Sequence, residues 1–271
     1  TNDANINKLE SNKVIKTNDY RELVGIVDAV SIVTPTTTHY KLAKFFLENK
    51  IHVLLEKPMT ETVAQAKLLN AIAKKNKRVL QIGHLEQFNP AIRKLKLDSV
   101  EPQFIEVHRL CKFNPRANDV DVVLDLMIHD IDIVLSLVNG KIKKLSVSGK
   151  KIITKLTDIA NVRIEFNNNV VANLTASRIS TKNERKMRIF SKNSYYSIDF
   201  IDSELKKLIK KKNNTFKTYA HKFAKSDALN DEIKNFINTC RGIESSMTTG
   251  ECGESALKVA KKITRALRKN D

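Results

Sequence analysis

Residues 51–59, IHVLLEKPM, end an apolar run on a carboxylate, an ammonium group and a proline. Pro58 disfavours helical backbone at the residue before it, so Lys57 stays extended and is presented where the strand stops. In open parallel sheets, ligands bind outside the carboxyl ends of the strands, which is where Glu56 and Lys57 fall. A routine ion pair at a surface strand end would read the same way. A second group adds chemistry: DLMIHDID, residues 125–132, sets Asp125 and His129 four apart, on one face of a helix. A carboxylate that fixes the tautomer of a neighbouring imidazole makes it a candidate general base. The alternative is a core histidine satisfied by a neighbour, with Asp130 and Asp132 forming no more than an acidic first turn. One histidine among scattered aspartates lacks the HExxH or three-ligand spacing of zinc, so no metal is expected.

The elements that must position these groups change character once along the chain. Between 29 and 83, the short continuous apolar runs AVSIVT, IHVLLE and VLQIG alternate with helical patterns near 40–49 and 61–76. Runs of that kind are strands covered on both faces, hence a parallel α/β segment. In the second helix Val63, Ala66, Leu69 and Ile72 supply an apolar face, Thr60 stands where an N-cap belongs, and Lys74, Lys75 and Lys77 make a basic tail. From His84 onward FIEVHRL, KLSVSG, ANVRIEF, VVANLTASRI, RKMRIFS and YYSIDFI alternate as strands of a largely antiparallel sheet, with a hairpin turn at 167–169. Helices are expected at about 123–137, 229–240 and 253–267. The fold class is therefore α/β: a parallel α/β domain over 1–83, followed by an α+β domain with a largely antiparallel open sheet over 84–271.

Composition narrows the classes. With 271 residues at 41% hydrophobic, the chain buries a large core. A net charge of +18 and a pI near 9.7 suit nucleic acid, an anionic membrane or a phosphorylated ligand. The lysines are dispersed, however, Trp is absent and no aromatic residues interleave with the charges, so no nucleic-acid partner is expected. The densest lysine clusters, 206–212 and 258–269, read as a loop edge and the polar face of a helix. Three cysteines without a CxxC pair argue against a disulfide framework and for a reducing cytoplasm. The most apolar window, 120–138, is broken by Asp121, Asp125, His129, Asp130 and Asp132, so no membrane span is expected.

Taken together, TPTTTH (34–39), EKP (56–58), GHLEQFNP (83–90), DLMIHDID (125–132), LTASR (174–178) and the tail DALNDEIKNFI…TGECGESALKVAKKI resemble the Gfo/Idh/MocA oxidoreductases, in order and over nearly the whole chain. The resemblance implies an incomplete, doubly wound Rossmann domain for NAD or NADP over 1–83 and an α+β domain whose open sheet forms a homodimer or homotetramer. It also implies reversible oxidation of a secondary alcohol on a sugar, cyclitol or nucleotide sugar. By the same resemblance, Lys57 hydrogen-bonds the substrate hydroxyl, His129 takes its proton and Asp125 orients His129, and the peptide before Pro58 is cis. Thr34, Pro35 and His39 line the cofactor, with Glu56 beside the nicotinamide ribose and Asp3 at the adenosine ribose. His84, Asn89, Arg109, Arg116 and Arg178 are the implied substrate contacts. The branch most resembled oxidises the 3-hydroxyl of UDP-N-acetylglucosamine, although it usually has arginine where this chain has Gln87.

A Rossmann domain grips pyrophosphate with a glycine-rich turn between its first strand and first helix. The first glycine here is Gly25, and GECG near the end of the chain does not fit GxGxxG. Weak NAD or NADP binding by these 271 residues is the expectation, with TNDAN matching the end of the family's second strand. A non-catalytic binding protein or remnant of the family, and another sugar or inositol dehydrogenase, are the competing readings.

Overall fold

The computed structural model describes residues 15–114, 120–224 and 227–269. A one-turn 3-10 helix, Tyr20–Leu23, precedes the first strand. Strands β1 (Ala29–Ile32), β2 (His52–Leu55) and β3 (Leu80–Ile82) pair in parallel in the order β1-β2-β3. Helix α1 (Thr36–Glu48) crosses from β1 to β2 and α2 (Val63–Lys75) from β2 to β3. Crossover helices cover the strands, which is why the strand sequences are apolar without alternation. The cap of α2 differs from the expectation. Thr62, not Thr60, is the N-cap, in a reciprocal capping box with Gln65 (3.2 and 3.1 Å), because the Thr60 hydroxyl donates to the Thr62 carbonyl at 2.8 Å. The Lys57–Pro58 peptide is cis.

A 3-10 turn, Leu85–Phe88, and helix α3 (Pro90–Leu97) lead into β4 (Phe104–Leu110). A π-helical turn, Val123–Met127, then runs directly into α4 (Ile128–Leu137). The remaining strands are β5 (Ile142–Lys150), β6 (Ile159–Phe166), β7 (Val171–Ser177), β8 (Glu184–Ser191), β9 (Ser194–Asp199), β10 (Glu204–Lys210) and β11 (Phe216–Lys222). With β4 they form an eight-stranded sheet of order β11-β10-β9-β8-β4-β7-β6-β5, antiparallel except for the β4–β7 pair. The β6–β7 hairpin turns at Asn169, whose φ is 65°. The 206–212 lysine cluster, read from sequence as a loop edge, lies largely in β10, and β10 and β11 form an edge hairpin.

One face of this sheet carries the core, with Ile105, Val107, Val162, Ile164, Leu174, Met187 and Ile189 all buried. Helix α5 (Ala228–Cys240) packs on the 85–88 turn, and α6 (Gly250–Lys269) packs on α4, α2 and β3. Helix α6 reaches β3 closely because Gly253 has no Cβ: one would lie 2.5 Å from Ile82 Cγ1. Strand β3 is tied to the same stretch by the Ile82 N–H, which donates to the Thr248 carbonyl at 2.8 Å. The C-terminal helix is thus shared between the parallel sheet and the larger one.

Candidate active site

At the carboxyl ends of β2 and β3, two amides carry the ladder past the named strands. The Glu56 N–H donates to Ile32 (3.1 Å) and the Gly83 N–H to Leu55 (2.8 Å). The Glu56 carboxylate lies over Gly83, where a Cβ would come within 3.0 Å of Oε2, and it accepts from the Lys57 amide at 3.2 Å. His39, buried at the start of α1, joins the two loops: Nε2 is 2.8 Å from the Thr34 carbonyl and Nδ1 is 3.0 Å from that of Pro58. A neutral imidazole has one N–H and bonds one of these carbonyls at a time. Thr34 and Pro35 are exposed at the tip, and the Thr34 hydroxyl accepts from Thr38 at 2.7 Å.

From the other side the π turn brings Asp125 to the lysine. Lys57 Nζ donates to the Asp125 carbonyl at 2.9 Å and lies 3.4 Å from its Oδ1. The turn is held at its start by Asp121, whose Oδ1 accepts from the Val123 and Leu124 amides, both at 3.0 Å. Four-residue spacing predicted an Asp125–His129 pair. The π turn alters the helical register, Asp125 contacts Lys57, and His129 Nδ1 has no hydrogen-bond partner among the described residues. The His129 ring keeps partial exposure while Nδ1 is shielded. Burial, then the positive charges of Arg109 and Lys57, hold its imidazole well below the ordinary value, so it is a neutral base at neutral pH.

His84 lies two residues past the end of β3 and is buried, with its ring perpendicular to that of His129 at 6.5 Å between centroids. Its Nε2 lies 3.9 Å from Asp132 Oδ1. Other expected substrate contacts are engaged inside the protein. Strand alternation puts Arg109 on the inner face of β4 with Ile105 and Val107, and it is 4% exposed. Its Nε and Nη2 donate to Asp130 at 2.7–3.0 Å, and Nη1 to Glu86 at 2.9 Å. Burial opposes the charge on Arg109, yet Asp130 and Glu86 overcome that and hold the guanidinium above its ordinary value. Arg178 is buried too, with Nη2 donating to the Val120 carbonyl at 2.6 Å just before the π turn. Asn89 is the N-cap of α3, accepting from the Ala91 amide at 3.0 Å. Asp3 and Arg116 lie outside the described residues.

Two groups near the site carried no signal that singled them out. Glu232, on α5, is 1% exposed, and burial with the Glu56 charge pushes its carboxyl up to about 8. Arg185 on β8 is paired in register with Arg109 and half exposed, 3.7 Å from Glu86. Gln87 and Asp132 are hydrogen-bonded to each other in the core. Among the described residues no cluster of three metal-ligating side chains occurs, and no helix is long and apolar enough to cross a membrane.

Two family models match: an oxidoreductase family with an NAD-binding Rossmann fold over residues 2–84, and a GFO/IDH/MocA C-terminal domain over 104–196. A UDP-N-acetylglucosamine 3-dehydrogenase of Acidithiobacillus ferrooxidans is 36% identical over 262 residues, 90% of this chain and 80% of that protein. The chain belongs to the Gfo/Idh/MocA oxidoreductases. A solved structure of the Acidithiobacillus enzyme matches with a TM-score of 0.88 over 93% of this chain and 82% of that one, at 35% identity. The myo-inositol 2-dehydrogenase of Thermotoga maritima is 24% identical, over 85% of this chain and 75% of that protein. An inositol dehydrogenase homologue of Azotobacter vinelandii, solved with NADH and myo-inositol, shares the fold at 18% identity and a TM-score of 0.77, over 89% of this chain and 76% of that one. The family is one of NAD-dependent dehydrogenases. The groups at these strand ends that would hold the ribose of such a cofactor are the Thr34 hydroxyl and the Glu56 carboxylate. A cavity of about 260 Å³ lies between the 35–37 and 58–61 segments, the π turn and α6, lined by Pro35, Pro58, Glu61, Asp121, Leu124 and Lys261.

Proposed function

We propose that this chain oxidises a secondary hydroxyl of a sugar or nucleotide sugar, with the 3-hydroxyl of UDP-N-acetylglucosamine as the substrate position of choice. The observation that carries the reading is the meeting of Lys57, from the end of β2, with Asp125 of the π turn, one helical turn before the neutral His129. A bound NAD or NADP supplies the hydride acceptor. Lys57 donates to the substrate hydroxyl and stabilises the alkoxide as it forms, a contact stronger in the transition state than in the ground state. His129 accepts the hydroxyl proton. Asp125 holds the Lys57 ammonium in place, so its role here is on the lysine rather than on the histidine. With Arg109 and Arg178 bound internally, Arg185 is the cation that suits a diphosphate. The 36% identity to the Acidithiobacillus enzyme supports the nucleotide-sugar reading. We further assign the open face of the large sheet, which carries Glu106, Asn161, Arg163, Asn173 and Arg188, as the surface of a homodimer or homotetramer.

The test follows nicotinamide reduction at 340 nm with UDP-N-acetylglucosamine, free N-acetylglucosamine and myo-inositol, each with NAD and with NADP. The expected kcat/KM is at least about 10²-fold higher for the UDP sugar, the scale on which lost charged contacts discriminate. Preference for inositol would move the assignment to the cyclitol dehydrogenases. No turnover of any of them with cofactor bound would favour a non-catalytic role.

A further inference from the structure

The alcohol's proton, once on His129, must leave before the next turnover, and the shielded Nδ1 side of that ring offers a route that stays open while substrate covers its exposed side. Lys57, Arg109 and Arg185 place positive charge around it, and the neighbouring His84 does so when protonated. Of the nearby aspartates, Asp125 is on Lys57 and Asp130 is held by Arg109. Asp132 is the carboxylate with no direct arginine or lysine contact among the described residues. Its Oδ2 accepts from the Gln87 amide, and Gln87 Oε1 accepts from Lys96 Nζ at 2.6 Å, so the nearest ammonium is one amide away. Its Oδ1 faces His84 Nε2 at 3.9 Å. The Nδ1 atoms of His84 and His129 are both shielded from solvent, and both lack a partner among the described residues. Behind Asp132 lies a separate cavity of about 320 Å³, lined by Gln87, Asp132, Ser136, Glu251 and Cys252.

We propose that His84 and Asp132 form a second acid–base pair behind His129, carrying the proton of the oxidised hydroxyl to solvent in the cavity beside Gln87 and Cys252. The inference rests on the dehydrogenase reading of Lys57 and His129. When the C–H and O–H bonds of the alcohol break, the hydride goes to the nicotinamide, the C=O bond forms and the proton goes to His129. His129 then releases a proton from Nδ1 to His84 Nδ1, through a water or a small ring rotation. His84 passes its Nε2 proton to Asp132 as the 3.9 Å gap shortens, and Asp132 yields it to water in the cavity. One proton enters and one leaves at each station, which inverts both imidazole tautomers, so each ring flips or exchanges through water before the next turnover to restore the starting state. The direction follows from charge: cations repel an imidazolium on one side and a carboxylate attracts its proton on the other.

Nitrogen-15 NMR of the histidine rings in the ligand-free chain tests the route independently of any substrate. Above pH 7, His84 is expected as the Nε2–H tautomer, with its Nδ1 lone pair toward His129. In Asp132→Asn, exchange of the His129 ring proton with water should slow at least about tenfold. A wild-type His84 carrying its proton on Nδ1 overturns the proposal, as does unchanged exchange in a folded Asp132→Asn protein. The wild-type tautomer decides alone if the variant does not fold. With turnover established, Asp132→Asn should lower kcat with little change in KM, and imidazole or formate buffer should restore it; a variant that is slow and not rescued has only a structural defect. Failure of the tautomer test leaves the dehydrogenase assay standing, and failure of that assay leaves the NMR result readable.

Discussion

Lys57 and His129 have different neighbours, and their substitutions should fail differently. The Lys57 ammonium contacts only Asp125 among the described residues. Lys57→Ala is therefore expected to lower kcat by about 10²-fold or more while cofactor affinity, measured by fluorescence titration, changes little. Equal losses in both would make the lysine a cofactor ligand. For His129 the sign follows from its lowered pKa. The folded imidazole stays neutral where an unfolded one, near 6.5, takes up a proton, so oxidation should persist down to pH 6.5 and decline only below it. Stability should also fall as pH drops below 6.5, because the unfolded state then binds the extra proton. His129→Asn should remove both effects in pH–rate profiles and in urea titrations at pH 7.5 and 5.5. The strand-ending EKP was legible because it needs only local geometry; the expected Asp125–His129 pairing was not, because Asp125 sits in a π turn and contacts Lys57 instead. Arg109 was not read correctly, although the alternation Ile105, Val107, Arg109 already turned it inward. What no pattern disclosed was a buried carboxylate, Asp130, waiting for it.

Between residue and fold lie the short segments that hold the π turn. Asp158, at the start of β6, accepts from the amides of Ile152, Ile153 and Thr154 at 2.8–2.9 Å and from the Thr154 hydroxyl at 2.6 Å. The neighbouring Thr157 carbonyl accepts the Val122 amide, and the Asp158 carbonyl accepts the Arg178 amide. Burial alone would raise the Asp158 carboxyl, but these donors hold it at about 2 against 3.8. A depressed carboxylate stabilises the fold above its unfolded pKa and loses that contribution as pH falls through the folded one. Asp158 should thus contribute about 2 kcal/mol at neutral pH, lost between roughly pH 4 and 2. Denaturant midpoints of wild type and Asp158→Asn should differ at pH 7 and converge toward pH 2; a constant gap would make the effect one of packing. Elements with a buried face were legible in the sequence and others were not. Strand β11 is exposed at every position but Tyr219, and β10 carries lysines on both faces, so neither shows the alternation that marks a strand. The N-cap moved from Thr60 to Thr62 because both threonines precede the same apolar face, and only Thr62 has a glutamine three residues on.

Across the whole molecule, the last helix is what makes the two sheets one body. A division at residue 83 reads naturally from the change in periodicity; the parallel sheet ends at Ile82 and the strands from Phe104 onward belong to the larger sheet. Yet α6, at the far end of the sequence, packs on α2 and β3 as well as on α4 and β5, and contacts of that separation leave no local pattern to read. The approach depends on Gly253, since Ile82, fully buried in β3, occupies the space a side chain would need. Gly253→Ala gains about 1 kcal/mol of helix propensity and meets a Cγ1 at 2.5 Å that can retreat only by disturbing β3. Overpacking costs about 1–3 kcal/mol, so the alanine variant should be neutral to destabilised by about 2 kcal/mol, and Gly253→Val should be clearly worse. Ser255→Ala, exposed on the same helix, is the control for propensity alone and should be neutral or slightly stabilising. Thermal unfolding of the three variants measures this. A further readout ties the packing to the site: β3 ends one residue before Gly83 and His84, so Gly253→Val should shift the His84 and His129 ring signals while Ser255→Ala leaves them unchanged. Unaltered ring signals in a destabilised Gly253→Val protein would mean that α6 holds the fold together without setting the geometry of the active site.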